Sequence, residues 1–294
     1  MKVLYSLLMQ ETDWKTNKVK VVLLVALSCL LLGRAWQHLF WDAPYRAIFW
    51  NEEFLKPIVE SFTNLTWHQY VTHPHIDQFI QYGIKVVGIF YLLGSFLCWK
   101  LNSKKKWMGI YLIILSFSLI VLALLETIEK FLYFGMFLEH VIQFSTPLLT
   151  YLLIFKTSII KKYKIILKII IACTFIGHGL FAIGYYPIPG LFIDMIVIVF
   201  GSSEETAKLF LTMAGVFDLL AASLLFIPFL TISILYLMTF WGGITAFARI
   251  IAHVDFELAS FSSHQWILET LVRIPHALIP MMAIMIFRNK KASI

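Results

Sequence analysis

Residues 107–128 read WMGIYLIILSFSLIVLALLETI, and this stretch decides the fold. Nineteen consecutive residues, 107 to 125, carry no charge before Glu126 appears. A helix needs about 20 predominantly apolar residues to cross the roughly 30 Å hydrocarbon core of a bilayer. Three lysines, at positions 104 to 106, directly precede the stretch, which is typical of a membrane-spanning helix that begins at a cytoplasmic surface. We therefore predict a transmembrane helix here.

Seven further apolar runs of similar length recur along the 294 residues, of which 60% are hydrophobic and only 14% are charged. An ordinary soluble domain carries about 25% charged residues, so this composition is typical of a protein that lies in a lipid bilayer. Inside a bilayer, only helices and closed barrels satisfy every backbone polar group. We predict an all-α polytopic membrane protein with about eight transmembrane helices, at residues 19–41, 79–99, 107–128, 138–156, 164–186, 205–227, 231–253 and 266–288.

Lysines cluster in the connections between apolar runs and mark the cytoplasmic side under the positive-inside rule. The rule places both termini in the cytoplasm, and we expect an integral protein of the bacterial inner membrane. No small-x-small cleavage site follows the first run, so we expect an uncleaved first helix. The basic clusters lie at 15–20, 100–106, 156–164 and 288–291, and the predicted outward segments are 42–78, 129–137, 187–204 and 254–265.

The two halves of the chain share short motifs in the same order. The pattern Cys-x3-Gly-Arg at 29–34 recurs as Cys-x3-Gly-His at 173–178. The motif GIFYLLG at 88–94 recurs as GVFDLLA at 215–221. Four helices separate the copies, so both would have the same orientation in the membrane. The pattern therefore predicts two parallel four-helix repeats rather than an inverted pair.

The repeat divides the chain into two expected units. Residues 1–160 form the first four-helix membrane repeat, which carries the long outer loop 42–78. Residues 161–294 form the second repeat. Glu139 and Glu269 lie near the start of the fourth and eighth apolar runs, and we take them as equivalent positions.

The second half resembles a known family. The residues that carry the resemblance are Gly177-His178-Gly179, the turn with Pro187 and Pro189, Phe192, and the stretch Ala207 to Phe226 with Gly215 and Asp218. They are similar to the DoxX-like four-helix membrane module, over Ile170 to Arg288. The chain would then be a tandem DoxX-like protein, with a distant similarity to the membrane region of the HTTM and vitamin-K-dependent carboxylase group.

The resemblance implies a place in a redox system. Some DoxX relatives are implied to be subunits of quinone-linked or thiol-linked systems. This chain has three cysteines, Cys29, Cys98 and Cys173, and no CxxC pair among them. The absence of paired cysteines argues against thiol chemistry in this chain.

Ionisable residues inside a membrane are costly unless they face a cavity or a partner. Several occur here at similar depths in the outward half of the predicted helices. Arg34 and His38 lie four residues apart on one helical face, as do Glu269 and Arg273. One interpretation is that such residues are paired charges that hold helices together. The other is a single outward-facing ligand site lined by Arg34, His38, Glu126, Glu139, His178, Arg249, Glu269, Arg273 and His276.

Some histidines are also candidates for a metal or haem site. His68, His73 and His75 lie in the long outer loop beside Asp77, and imidazole with carboxylate suits zinc or copper. Their H-x4-H-x-H spacing matches no established zinc signature. A haem iron would need two facing histidines at membrane depth, and His178 and His276 are the one sensible pair.

Functions that need a soluble catalytic motif lack support. The sequence contains no phosphate-binding glycine loop, nucleophile elbow or HExxH motif. Its net charge of +7 lies in short clusters between apolar runs, and we expect no nucleic-acid partner. We expect a protein that binds a small or lipid-like molecule, such as a quinone, in an outward-facing cavity for a redox or lipid-modifying pathway. Two alternatives stay open: a transporter or channel subunit, and a non-catalytic partner of another membrane protein.

Overall fold

The computed structural model describes residues 2–156, 164–254 and 259–288, and for residues 2–16 and 259–262 it describes the backbone alone. The described part of the chain is α-helical and contains no strand. Eight helical segments in it are long and apolar enough to cross a bilayer. The prediction of an all-α protein with about eight transmembrane helices is therefore confirmed.

The eight spans are numbered in chain order. They are Asn17–Phe40, Pro74–Lys100, Lys106–Glu129, Phe134–Phe155, Lys164–Ala182, Glu204–Leu224, Thr231–His253 and Ser263–Arg288. The helices of the described residues are α1 (Lys2–Phe40), α2 (Arg46–Phe49), α3 (Glu52–Phe62), α4 (Trp67–Thr72), α5 (Pro74–Leu97), α6 (Lys106–Glu129), α7 (Phe134–Glu139), α8 (Val141–Phe155), α9 (Lys164–Ala182), α10 (Gly190–Phe200), α11 (Glu204–Leu224), α12 (Thr231–His253), α13 (Ala259–Leu271) and α14 (Ile274–Arg288).

Local signals explain two boundaries that differ from the prediction. The second span begins at Pro74 rather than 79, because His73 caps α5 and accepts a hydrogen bond from the His75 N–H. Proline suits the first helical position, where its missing N–H is not needed. The fifth span ends at Ala182 rather than 186, because Gly184 adopts a positive φ of 79° that ends the helix.

The fourth and eighth spans are each interrupted, where the sequence had predicted continuous helices. In the fourth span α7 ends at Glu139 and α8 begins at Val141. In the eighth, α13 ends at Leu271 and α14 begins at Ile274. Pro147 is the seventh residue of α8, and Pro280 is the seventh residue of α14. The two fourth helices of the predicted repeats therefore share a break and a proline at the same distance from it.

Helix packing is similar in the two halves. α1 packs on α5 as α9 packs on α11, and α1 also packs on α13 and α14 as α9 packs on α7. A Cβ on Gly33 of α1 would lie 2.8 Å from Val272, and one on Gly177 of α9 would lie 2.6 Å from the Glu139 backbone nitrogen. Small residues allow such close approach in membranes. These equivalent contacts support the parallel repeat, whose domain limits at 160 and 161 lie outside the described residues.

Buried apolar side chains fill the half of the second repeat that lies near Lys164 and Arg288, which we call the lysine side. Leu225, Leu235 and Met238 are fully buried there against Ile279. Chain direction alternates from span to span, so the ends of α9 and α12 and the start of α11 lie on the opposite side. Helix α10 lies on that opposite side and packs on α11 and α12.

Candidate functional site

A cavity of about 620 Å³ lies in the second half of the chain, among α9, α10, α11, α12 and α14. We call it the lateral cavity. Its volume falls within the roughly 300–1,000 Å³ range of small-molecule sites. Aromatic and aliphatic residues such as Phe175, Phe192 and Phe210 form most of its lining. The ionisable residues that line it are His178, Asp218, Arg249, Arg273 and His276.

The apolar wall of the lateral cavity continues onto the surface of the protein that faces lipid. α11 and α12 touch over only a short stretch, and α10 packs on both. Lining residues near this gap are highly exposed: Phe240 by 69%, Phe247 by 50% and Ile251 by 68%. Phe200 on α10 is exposed by 64%. A ligand that enters between α11 and α12 would therefore come from the bilayer rather than from water.

Two arginines that line the lateral cavity share one carboxylate. The Arg273 guanidinium donates a hydrogen bond to Glu269, one turn earlier on the eighth span. Arg249 on α12 places its Nε 3.8 Å from the same Glu269 carboxylate, and its Nη1 donates to the Thr245 carbonyl at 2.9 Å. Glu269 therefore neutralises one positive charge of the two. We call these three residues the Arg273 cluster.

Two histidines lie deeper in the lateral cavity and contact each other. The rings of His178 and His276 meet edge to face, with centroids 5.3 Å apart. His178 Nδ1 lies 3.0 Å from the Glu139 carboxylate, and His276 Nδ1 donates to the Arg273 carbonyl at 2.9 Å. Rings in direct contact leave no room for a porphyrin plane between them. The two rings would have to separate to hold a haem iron between them, and the haem site stays a prediction.

Asp218 is a functional candidate that the predicted ligand-site residues did not include. Its carboxyl lies within the membrane on α11, is 5% exposed and lines the lateral cavity. The signal was present in the repeated motif, where GIFYLLG has Tyr91 and GVFDLLA has Asp218. The two copies of the motif therefore differ in side-chain chemistry at this position, with a phenol in one and a carboxyl in the other.

A second group of polar residues lies among the first, third and fourth spans. Arg34 donates to Glu126 at 2.8 Å and to the Gln143 side chain at 2.7 Å. His140 Nε2 lies 2.6 Å from the other oxygen of Glu126. We call Arg34, Glu126, His140 and Gln143 the Arg34 cluster. None of its members lines the lateral cavity, and His140 and Gln143 were not predicted as site residues.

His38 is hydrogen-bonded to the backbone of the Arg34 cluster. Its Nδ1 donates to the Arg34 carbonyl at 2.7 Å, so the neutral ring accepts through Nε2, which lies 3.3 Å from the Tyr45 hydroxyl. Tyr45 lies in the connection after the first span. Burial raises the pKa of its hydroxyl, so the hydroxyl keeps its proton and donates. Tyr91 packs edge to face on the same imidazole. This histidine is therefore surrounded by its partners.

The nine predicted ligand residues thus form two neighbouring groups rather than a ring around one cavity. Four of them line the lateral cavity, namely His178, Arg249, Arg273 and His276. Glu139 and Glu269 contact those four, while Arg34, His38 and Glu126 belong to the other group. The two groups adjoin where Glu139 and His140 follow each other in the chain. Their role in ligand binding stays a prediction.

The connection between the first two spans carries helices and an ion-pair network. Arg46 on α2 lies 2.5 Å from Asp42 and 2.7 Å from Asp77, which fastens α2 to α5. His73 and His75 have ring centroids 5.3 Å apart, while His68 lies on α4. Among the described residues, no three His, Cys, Asp or Glu side chains are grouped so that they could hold a metal ion. The predicted loop metal site gains no support.

Comparisons of the chain with family models, with curated proteins and with solved structures find no match. The resemblance to DoxX-like proteins therefore rests on the sequence motifs alone.

Proposed function

We propose that this membrane protein binds an amphiphilic, lipid-like molecule from the bilayer in the lateral cavity. One observation carries the proposal: the lining of the cavity is mostly apolar and continues onto exposed apolar side chains such as Phe240 and Ile251, yet it also contains five ionisable residues. A ligand with an apolar tail and a polar head matches that arrangement. Ionisable groups inside a membrane are costly unless they have a function or a partner, and five of them converge here.

The packing beneath the lateral cavity favours a binding site over a channel. Leu225, Leu235 and Met238 are fully buried on the lysine side of the cavity and pack with Ile279. This apolar layer closes the cavity at that end. A ligand would enter and leave by the same route between α11 and α12, which differs from passage across the bilayer.

A cavity of about 620 Å³ suits a polar head and part of one chain, with the rest of the tail in the bilayer. An isoprenoid quinone, as the motif resemblance implies, has such a shape, and so has a phospholipid that places one chain in the cavity. A role in a redox or lipid-modifying pathway belongs to this proposal.

The test is to identify what the protein retains. The full chain is purified in a mild detergent, and its small molecules are extracted and analysed by mass spectrometry against a mock purification. We expect one amphiphile in near-stoichiometric amount. In the Ala248→Phe variant, where the added ring fills the cavity, we expect that amphiphile to be lost.

Val216→Phe is the matched control, because Val216 lies on α11, is 46% exposed and does not line the cavity. This variant should retain the amphiphile. Equal retention by the Ala248→Phe variant and the wild type would contradict the proposed function.

A further inference from the structure

Asp218 presents an unused hydrogen-bond acceptor to the lateral cavity. The side chain lies in the second half of the sixth span and is 5% exposed, and the Trp241 side chain lies within hydrogen-bonding reach of its carboxyl. Its Oδ1 is buried and has no hydrogen-bond partner within the described part of the chain. Gly215, one turn earlier, holds α11 against α9, since a Cβ there would lie 2.7 Å from Ile183. The backbone therefore fixes the carboxyl at the cavity wall.

Arg249 presents an unused donor to the same cavity. Its side chain is 3% exposed and lines the cavity from α12. Nη1 donates to the Thr245 carbonyl, but Nε is buried without a hydrogen-bond partner among the described residues. The nearest carboxylate, on Glu269, is 3.8 Å from that nitrogen, which is beyond hydrogen-bond distance.

Buried polar atoms in native proteins are nearly always hydrogen-bonded, and each exception needs an explanation. Here two buried polar atoms without a partner, the acceptor Oδ1 of Asp218 and the donor Nε of Arg249, belong to residues that line one cavity. A ligand that completes both must accept from Arg249 and donate to Asp218. A head group that only accepts would leave the buried Asp218 oxygen without a partner, which would weaken its binding.

We infer that the lateral cavity selects an amphiphile whose head group carries an N–H or O–H donor for Asp218 beside an acceptor oxygen for Arg249. This inference rests on the proposed function and specifies the class of its ligand. Two sources supply the chemistry: the ammonium and phosphate of an ethanolamine phospholipid, or the hydroxyl and neighbouring oxygen of a lipid alcohol. A choline phospholipid has the phosphate but no donor, and should bind less tightly.

The experiment compares three lipids that share the same acyl chains. The full-length, delipidated protein is incubated with phosphatidylethanolamine, phosphatidylglycerol or phosphatidylcholine, and the bound lipid is counted by native mass spectrometry. We expect at least one of the first two to be retained about tenfold more than phosphatidylcholine, since a hydrogen bond to a charged group contributes roughly that ratio. Retention of phosphatidylethanolamine alone assigns the donor as an ammonium. Retention of phosphatidylglycerol as well assigns it as any protic head.

Two variants assign the preference to Asp218. Asp218→Leu keeps the branching of the side chain and removes both acceptor oxygens, whereas Asp218→Asn keeps one acceptor oxygen. We expect Asp218→Leu to lower retention of the preferred lipid to the level of phosphatidylcholine, whose own retention should not change, and Asp218→Asn to lower it less. Val216→Phe on the same helix should keep the wild-type preference.

The outcomes separate this inference from the proposed function. Equal retention of the three lipids by the wild type, or an unchanged preference in both Asp218 variants, overturns the inference and leaves lipid binding in place. If the wild type retains none of them and its extract matches that of the Ala248→Phe variant, both the inference and the proposed function are wrong.

Discussion

Arg34 and Glu126 are 92 residues apart and form a buried ion pair of 2.8 Å between the first and third spans. Their side chains are 5% and 15% exposed. Because each charge is withdrawn from water, each depends on the other, and on Gln143 and His140, for its hydrogen bonds. This relationship links helices that are not neighbours in the sequence.

Removal of Arg34 should therefore be strongly destabilising. In Arg34→Gln, Glu126 loses its main partner, and breaking a buried pair costs about 3–5 kcal/mol. Thermal unfolding of the detergent-solubilised protein should show a clear loss of stability. The double variant Arg34→Gln/Glu126→Gln should recover much of it, because no unpaired charge remains. The exposed pair Lys56–Glu52 is the control, and Lys56→Ala should leave the unfolding temperature unchanged. A double variant no better than the single one would contradict the argument.

Gly177 and Gly83 are two helical glycines with different surroundings, so substitutions at the two positions can be compared. A Cβ at Gly177 would lie 2.6 Å from the Glu139 nitrogen and 2.7 Å from the Gly135 carbonyl oxygen, and backbone atoms cannot move aside cheaply. Gly177→Ala should destabilise the protein by about 1–3 kcal/mol, measured by thermal unfolding. At Gly83 a Cβ meets nothing within 4 Å. Gly83→Ala should be neutral or stabilising by about 0.5–1 kcal/mol, because alanine suits a helix interior better. Similar behaviour of the two variants would show that α9 and α7 are not in close contact.

The predicted orientation can be tested by labelling. In a background without Cys29, Cys98 and Cys173, single cysteines replace Tyr70 in α4 and Lys104 in the connection between the second and third spans. A membrane-impermeant maleimide should label the Tyr70→Cys variant in intact cells and the Lys104→Cys variant only after the cells are opened. The reverse pattern would place the lysine side outside.

The ion pairs of Arg46 should control how firmly the connection between the first two spans is held. Arg46 is 17% exposed and joins Asp42 to Asp77. Arg46→Gln removes both ion pairs while the eight spans keep their contacts. Limited proteolysis between residues 42 and 73 should become faster, with little change in the unfolding temperature, and high salt should make the wild type more like the variant. Unchanged proteolysis would show that α2 is held by its apolar contacts alone.

The eight spans could be predicted from the sequence because bilayer thickness fixes how many apolar residues a crossing needs. The breaks at His140 and at Val272–Arg273 could not be predicted, because apolar composition is the same in continuous and interrupted helices. The sequence-based prediction also placed Arg34 and Arg273 at one site. Spacing along one helix shows which residues share a face, but not which neighbouring helix that face meets. The separation of the two clusters follows from helix rotation, which a single sequence does not fix.

Asp218 is a residue whose importance could not be recognised from the sequence. The acid was visible inside an apolar run and inside a repeated motif. Its significance depends on the cavity that α10 and α12 form around it, and that cavity exists only in the folded protein.

The breaks in the fourth and eighth spans have a mechanical consequence. The short segments α7 and α13 are separated from α8 and α14 by one or two non-helical residues, and Glu139, His140 and Arg273 lie at or beside these joints. A span that meets a bilayer of the wrong thickness usually adapts by tilting. If α8 and α14 tilt about their joints, α7 and α13 can keep their place. Hydrophobic mismatch would then be absorbed on the lysine side, and the ionic contacts around Glu139 and Arg273 would keep their geometry in membranes of different thickness.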